Sequence, residues 1–267
     1  MHGQPDKKVF EELYARFNRR EFVHPDPLEF LYEYDDPGDR EIVGLVASCL
    51  AYGRVKQILA SVRKVLSRMG KPSVFVRQAD AGELRTAFKG FKHRFTTGAE
   101  IAALLYGTGR LLDEYGSLER CFAAGLSASD LTTVPALSAF VDRLCKAASL
   151  KSHLVPHPSS GSACKRLHLF LRWMVRRDEV DPGGWTSVRP SRLVVPVDTH
   201  MHRICLGLGL TRRKQADVVA ALEVTAAFRK IAPQDPVKYD FAITRLGIRG
   251  DADPDELLGK CVVKEVV

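Results

Sequence analysis

Lys165 and Asp198 are the two side chains whose types and settings suit chemistry at an electrophilic carbon. Each is predicted to stand at the start of a helix. Lys165 lies in the first turn of residues 161–177 (GSACKRLHLFLRWMVRR), behind a Ser/Gly turn. Asp198 follows the stiff, apolar Val195-Pro196-Val197 and heads the helix of residues 198–208. A lysine amine is a nucleophile only when neutral, a form favoured by burial, by a helix N-terminus and by neighbouring cations such as Arg166. A lysine that contacts phosphate or faces solvent is the plainer alternative. Asp198 has the default role of N-cap, accepting from the N–H groups two and three residues on. The same N–H groups would hold a working carboxylate ionised and aimed.

The turn before Lys165 has its own possibility. The first N–H groups of a helix lack internal partners and carry the positive end of the helix dipole, which makes a phosphate seat. Ser160, Gly161, Ser162 and Ala163 with Arg166 form that candidate seat, and Gly161 permits close approach. An ordinary Ser-capped helix start has the same residues. Arg172 and Arg176 follow on the face of Lys165 and are candidate phosphate contacts.

Charge placement supports a polyanionic partner. The chain carries +8 overall. Residues 151–214 contain twelve Lys/Arg and four Asp/Glu, so 12 − 4 = +8 and the rest is balanced. Nucleic acid is the first partner such a patch suggests, with a solvated basic face as the alternative. His200 and His202 are two apart and point to different faces of a helix. With no HExxH pattern, neither they nor His153, His157 and His168 form a recognisable metal motif; surface or phosphate contacts are expected of the latter three. The six cysteines make no CxxC pair and sit mostly in apolar helical runs, as small hydrophobes. No metal and no cofactor is expected.

These residues need a helical scaffold. Apolar side chains recur at helical spacing over residues 7–22, 54–70, 97–115, 134–148 and 214–231. Residues 39–52 are apolar almost all round, which suits a buried central helix. Thr97 and Glu100 form a capping-box pair. Pro135 and Pro236 suit first helical turns. Only RLVVPV (192–197) looks briefly strand-like. The corner Ala51-Tyr52-Gly53-Arg54 puts an aromatic and a cation at a tip: Tyr52 either packs in the core or, with Arg54, probes a groove. KGFKHRF (89–95) is a basic string. The expectation is a single all-α unit over residues 1–267. No apolar run approaches the ~20 residues of a membrane span, and the first residues lack the apolar centre of a secretory signal. A cytoplasmic location is expected.

At these residues the sequence resembles the helix-hairpin-helix DNA glycosylases of the endonuclease III superfamily. In that superfamily a hairpin of form G-V-G-x-K-T-A leads into the helix bearing a catalytic lysine, and V-D-T-H-hydrophobic-x-R-hydrophobic follows, ending near G-L. Here stand Gly161-Ser162-Ala163-Cys164-Lys165, then Val197-Asp198-Thr199-His200-Met201-His202-Arg203-Ile204 and Leu208-Gly209-Leu210. The likeness covers residues 155–210 firmly and the preceding helices loosely. GSACKRLHLFLRWMVR and DPVKYDFAITRLGI are similar to an uncharacterised branch of the superfamily. The resemblance implies a multi-helix, glycosylase-like fold and a DNA repair glycosylase with abasic-site lyase activity, a probable monomer on duplex DNA that extrudes the target base. It implies that Lys165 attacks C1′ and forms a Schiff base, that Asp198 assists base departure, that residues 161–165 hold backbone phosphate, and that the Tyr52 corner inserts into the duplex. Three departures stand out. Ala163 replaces the second hairpin glycine. The Lys165–Asp198 gap of 33 residues is similar to that of the archaeal 8-oxoguanine glycosylases, which implies an oxidised purine. The four-cysteine iron–sulfur signature is absent. Two alternatives remain: a non-catalytic DNA- or RNA-binding protein on the same scaffold, and a nuclease whose metal is held by at least three of the five histidines.

Overall fold

The computed structural model describes residues 6–150 and 153–248. The acidic-to-mixed tail from Arg249, with Cys261, and Lys151 and Ser152 of the expected 151–160 loop lie outside them. The architecture is all-α. α1 spans Lys7–Phe17, α2 Pro37–Cys49, α3 Val55–Leu66, α4 Pro72–Gln78 and α5 Ala81–Ala87. A two-stranded hairpin, β1 (Lys92–His93) with β2 (Thr96–Thr97), precedes α6 (Gly98–Tyr115). Then come α7 (Leu118–Ala123), α8 (Val134–Ala148), α9 (Lys165–Val175), α10 (Thr199–Gly207), α11 (Val218–Ile231) and α12 (Asp240–Ile248).

α2 is the central element, buried on nearly every side, as its apolar run predicts. It starts at Asp36, which caps it by accepting from Asp39 N–H at 3.0 Å, and packs on α9 and on the 3-10 turn Pro27–Glu33. α6 organises the second layer, touching α4, α5, α7 and α8. The expected capping box closes its start: Thr97 Oγ1 accepts from Glu100 N–H, and Glu100 Oε2 accepts from Thr97 N–H at 2.7 Å. α8 comes so close to α6 that a Cβ on Gly107 would stand 2.6 Å from that of Ala148; only glycine fits there. The two layers share one continuous apolar core.

The long connector between α9 and α10 is pinned rather than loose. Gly183 and Trp185 N–H donate to the carbonyls of Trp173 and Met174 at 3.0 and 2.8 Å. The Trp185 indole donates to buried Glu41, which also accepts from Leu118 and Glu119 N–H at the start of α7. Burial pushes the Glu41 carboxyl up to about 7, against the pull of those donors. Of RLVVPV, Arg192 closes the 3-10 turn Pro190–Arg192 and residues 193–197 have no strand partner; their apolar side chains are buried in the core, and Val195 N–H donates to Thr225 Oγ1 at 3.0 Å.

Several boundaries differ from the sequence expectation for identifiable reasons. α1 ends at Phe17, and Arg20–Phe22 is a separate 3-10 turn. α11 begins at Val218 because Asp217 caps it, accepting from Ala220 N–H at 2.9 Å. α12 begins at Asp240 after turns at 235–239. α9 begins at Lys165, not at Gly161: Ser159 and Ser160 belong to a 3-10 turn, Gly161 O accepts from Val218 N–H at 3.1 Å, and Cys164 is left-handed at φ 45°. The ends of the described chain meet, with Phe10 packed 5.4 Å from the rings of both Phe228 and Tyr239, and Lys238 Nζ 2.7 Å from Glu11.

Candidate active site

Two helix starts and one helix face converge on a cavity. Its walls are Pro25–Pro27, Ala51, Val55 and Ile58 on one side and Leu169, Pro196 and Phe241 on the other. Lys165 and Asp198 line it, as do Arg172, Asp240, Thr244 and Arg245. α3 supplies two of these residues, exposed Val55 and buried Ile58. The volume is about 150 Å³. A cavity of that size holds one aromatic ring and is smaller than the ~300–1,000 Å³ typical of drug-sized ligand sites.

Lys165 is the first residue of α9, and Asp198 is the N-cap of α10. Their charged groups meet at 3.4 Å, with the lysine side chain 30% and the aspartate 38% exposed. Asp198 splits its oxygens between two tasks. Oδ1 accepts from His200 and Met201 N–H at 3.0 and 2.8 Å, and Oδ2 faces the amine. Of the alternatives left by the sequence the cap is present, and the second oxygen is the one turned to Lys165.

Behind the pair lies a buried charge network that sequence reasoning did not foresee. Arg172 donates to Asp181 at 3.1 Å and to Asp240 at 2.5 Å. Arg176 pairs with Asp178 and Asp235, both at 2.9 Å, and with Asp181. Arg245 pairs with Asp26 across the cavity. Burial opposes the charge on Arg172, but Asp181, Asp240 and Asp26 outweigh it and raise its pKa above the ordinary arginine value. The expectation that Arg172 and Arg176 contact phosphate is therefore corrected: they are 3% and 4% exposed and fully engaged inside. The signal that could have found the network is a charge embedded in an apolar helix. Asp240 and Arg245 in YDFAITRLGI must each find a partner when buried.

The other candidates divide. Ser160 and Gly161 are exposed and Ser162 is half-buried, whereas Ala163 is turned into the core. Arg166 is committed to the C-terminal end of α2: its guanidinium donates to Cys49 O at 2.6 Å and to His153 O, and stacks 5.0 Å above the Tyr52 ring. It braces the corner instead of reaching outward. Tyr52 is half-buried; its hydroxyl donates to His93 O at 2.9 Å and shares a hydrogen bond with Thr96 Oγ1 at 2.7 Å. That bonding removes Tyr52 as a free tip. Arg54 is exposed.

His168 is neither a surface group nor a phosphate contact. It is fully buried on α9, and burial alone pushes its pKa down to about 4. His202 is also buried and bonds Arg213 O at 2.9 Å, on a different face from half-buried His200. Among the described residues no group of three or more His, Cys, Asp or Glu side chains could hold a metal ion, so the convergence that a histidine-metal nuclease requires is not met there. No helix of the described residues is long and apolar enough to cross a membrane.

A family model described as "Protein of unknown function (DUF2400)" matches residues 26–249, which include every cavity residue except Pro25. No curated protein and no solved structure matches the chain.

Proposed function

The chain belongs to that family, and we propose that it is a DNA repair glycosylase with abasic-site lyase activity, related to the helix-hairpin-helix glycosylases. The observation that carries this reading is the Lys165 amine held 3.4 Å from the Asp198 carboxylate at a cavity with room for one ring. A nucleophile beside a carboxylate positioned by backbone N–H groups is the arrangement that covalent catalysis at a sugar carbon needs. An extruded nucleotide would place its base in the cavity and its C1′ at the mouth. Asp198 takes a proton from the Lys165 ammonium, and the neutral amine attacks C1′ as the C1′–N bond breaks; the base leaves with that electron pair and takes the proton held by Asp198. The attached amine gives up a proton to Asp198, which passes it to the ring oxygen as the sugar opens to an iminium on Lys165, and loss of a C2′ proton then expels the 3′ phosphate and nicks the strand. Hydrolysis then frees the lysine. The substrate of this reading is a damaged base in duplex DNA.

The test is borohydride trapping on duplexes carrying abasic sites or a broad set of lesions. The parent protein is expected to become covalently joined to the DNA. Lys165→Gln is expected to give no adduct while keeping DNA affinity within a few-fold, since it removes one charge from a multi-site electrostatic contact. An adduct of undiminished yield in Lys165→Gln would move the chemistry to another amine and overturn this mechanism, and no adduct in the parent on any lesion would leave the non-catalytic nucleic-acid-binding reading in its place.

A further inference from the structure

The basic string of residues 89–95 has no part in the chemistry above, yet it ends in the most exposed aromatic side chain of the described residues, Phe95 at 71%. Single exposed apolar residues are ordinary. This one is set apart by how firmly its support is held and by what surrounds it. Phe95 sits in the turn between β1 and β2. His93 anchors that hairpin through Nδ1 to Ser61 Oγ at 2.8 Å and Nε2 to Tyr52 O at 3.0 Å, and the Tyr52 hydroxyl holds His93 O and Thr96 Oγ1 from the other side. Arg94 is left-handed at φ 51° and lies along Gly53, where a Cβ would come within 2.8 Å of its Cδ. Gly53 stands between Ala51 and Val55, both in the cavity wall. The hairpin tip is therefore fixed beside the rim of the cavity.

The exposed charges of the string and of the corner have one sign, and the nearby Glu100 is occupied by Thr97 and His153. Lys89, Lys92 and Arg94 from the string and Arg54 from the corner are exposed, and none forms an ion pair with a described residue. Residues 89–97 contain no acidic side chain. An exposed aromatic on a rigid support among unpaired cations complements a polyanion whose rings can be stacked, which is the pattern of nucleic-acid platforms. Tyr52, the tip indicated by sequence, is half-buried with its hydroxyl bonded, whereas Phe95, with Arg94 5.5 Å over its ring and His153 at its edge, stays largely exposed.

We infer that Phe95, carried by the Lys92–Thr97 hairpin, stacks on a base that has lost its neighbour in DNA, with Arg54, Lys92 and Arg94 holding the adjoining phosphates. The inference rests on the proposed action on DNA but not on its chemistry. Its test uses fluorescence anisotropy at one fixed salt concentration with two duplexes of equal sequence, one intact and one bearing a tetrahydrofuran abasic analogue, which forms no Schiff base. Phe95→Ala is expected to bind the analogue duplex about tenfold more weakly, the effect of losing one base–aromatic stack, and the intact duplex within about twofold of the parent. Phe95→Trp should restore the affinity, and its indole emission should be quenched by the analogue duplex more than by the intact one. Because Phe95 is largely exposed, neither change threatens the fold. Unchanged binding of the analogue duplex by Phe95→Ala would overturn the inference, as would equal loss on both duplexes or a parent that binds neither. Trapping that persists beside a silent Phe95→Ala sinks the stacking alone. Absence of trapping beside a tenfold loss sinks the lyase chemistry alone.

Discussion

The Asp198 carboxylate serves the fold with one oxygen and faces Lys165 with the other. Substitutions can separate the two tasks. Asparagine keeps a capping oxygen for His200 and Met201 N–H but presents an NH2 group, or a neutral oxygen, to the amine. Asp198→Asn is therefore expected to melt within a degree or so of the parent, by analogy with the near-equal capping of Asn and Asp. Base release measured in single turnover should slow by about 10²-fold or more, as for loss of a positioned proton-transfer group. Asp198→Ala should lose the cap as well, at a cost of about 1 kcal/mol in thermal or denaturant melts. If Asp198 were only a cap, the asparagine variant would match the parent in rate.

At the scale of the element, α9 presents the Lys165 amine at its first residue and a buried charge ladder further along the same helix. Reversing Arg172 or Arg176 to glutamate would leave Asp181, together with Asp240 or with Asp178 and Asp235, facing a further carboxylate. The expected result is a loss of about 3–5 kcal/mol or more in denaturant unfolding, the cost of breaking a buried pair, rather than DNA binding weakened in a stable protein. A folded, fully soluble Arg172→Glu with a normal melting curve would contradict the network. Sequence reading could place Arg172 and Arg176 on the face of Lys165, because helical periodicity is local. It could not say what meets them, because Asp235 and Asp240 lie 59 and 68 residues from their partners. The same distinction holds elsewhere. Thr97 with Glu100, and Asp198 with its two N–H groups, were legible because a cap is made within three residues. The displaced start of α9 was not, since the tie from Gly161 to Val218 is tertiary. Lys165 and Asp198 were found from their motifs, whereas Asp26, Asp240 and Arg245 belong to the cavity through contacts no short motif encodes.

At the scale of the molecule, two buried groups on α2 and α9 tie stability to pH with opposite signs. Glu41, raised from 4.5 to about 7, favours the folded state most below its unfolded value, and that contribution is lost as pH rises through 7. His168, lowered from 6.5 to about 4, contributes fully above 6.5 and loses its contribution as pH falls toward 4. The two slopes oppose each other through the mildly acidic range. In Glu41→Gln only the histidine slope remains, so the stability of the parent relative to the variant should fall by about 3 kcal/mol at most between about pH 5 and about pH 8. Melting curves across that span check it, and a constant difference between the two proteins would refute it. The cavity itself is drawn from almost the whole length of the chain, from Pro25 to Arg245. A ribosome makes Lys165 80 residues before Arg245, a delay of roughly 4–16 s at ordinary elongation rates. For that interval the nascent chain carries its amine without Asp240, Phe241 and the other side chains of α12 that wall the cavity. An interrupted translation product would therefore bear the lysine but lack the chamber around it, which only the synthesis of α12 completes.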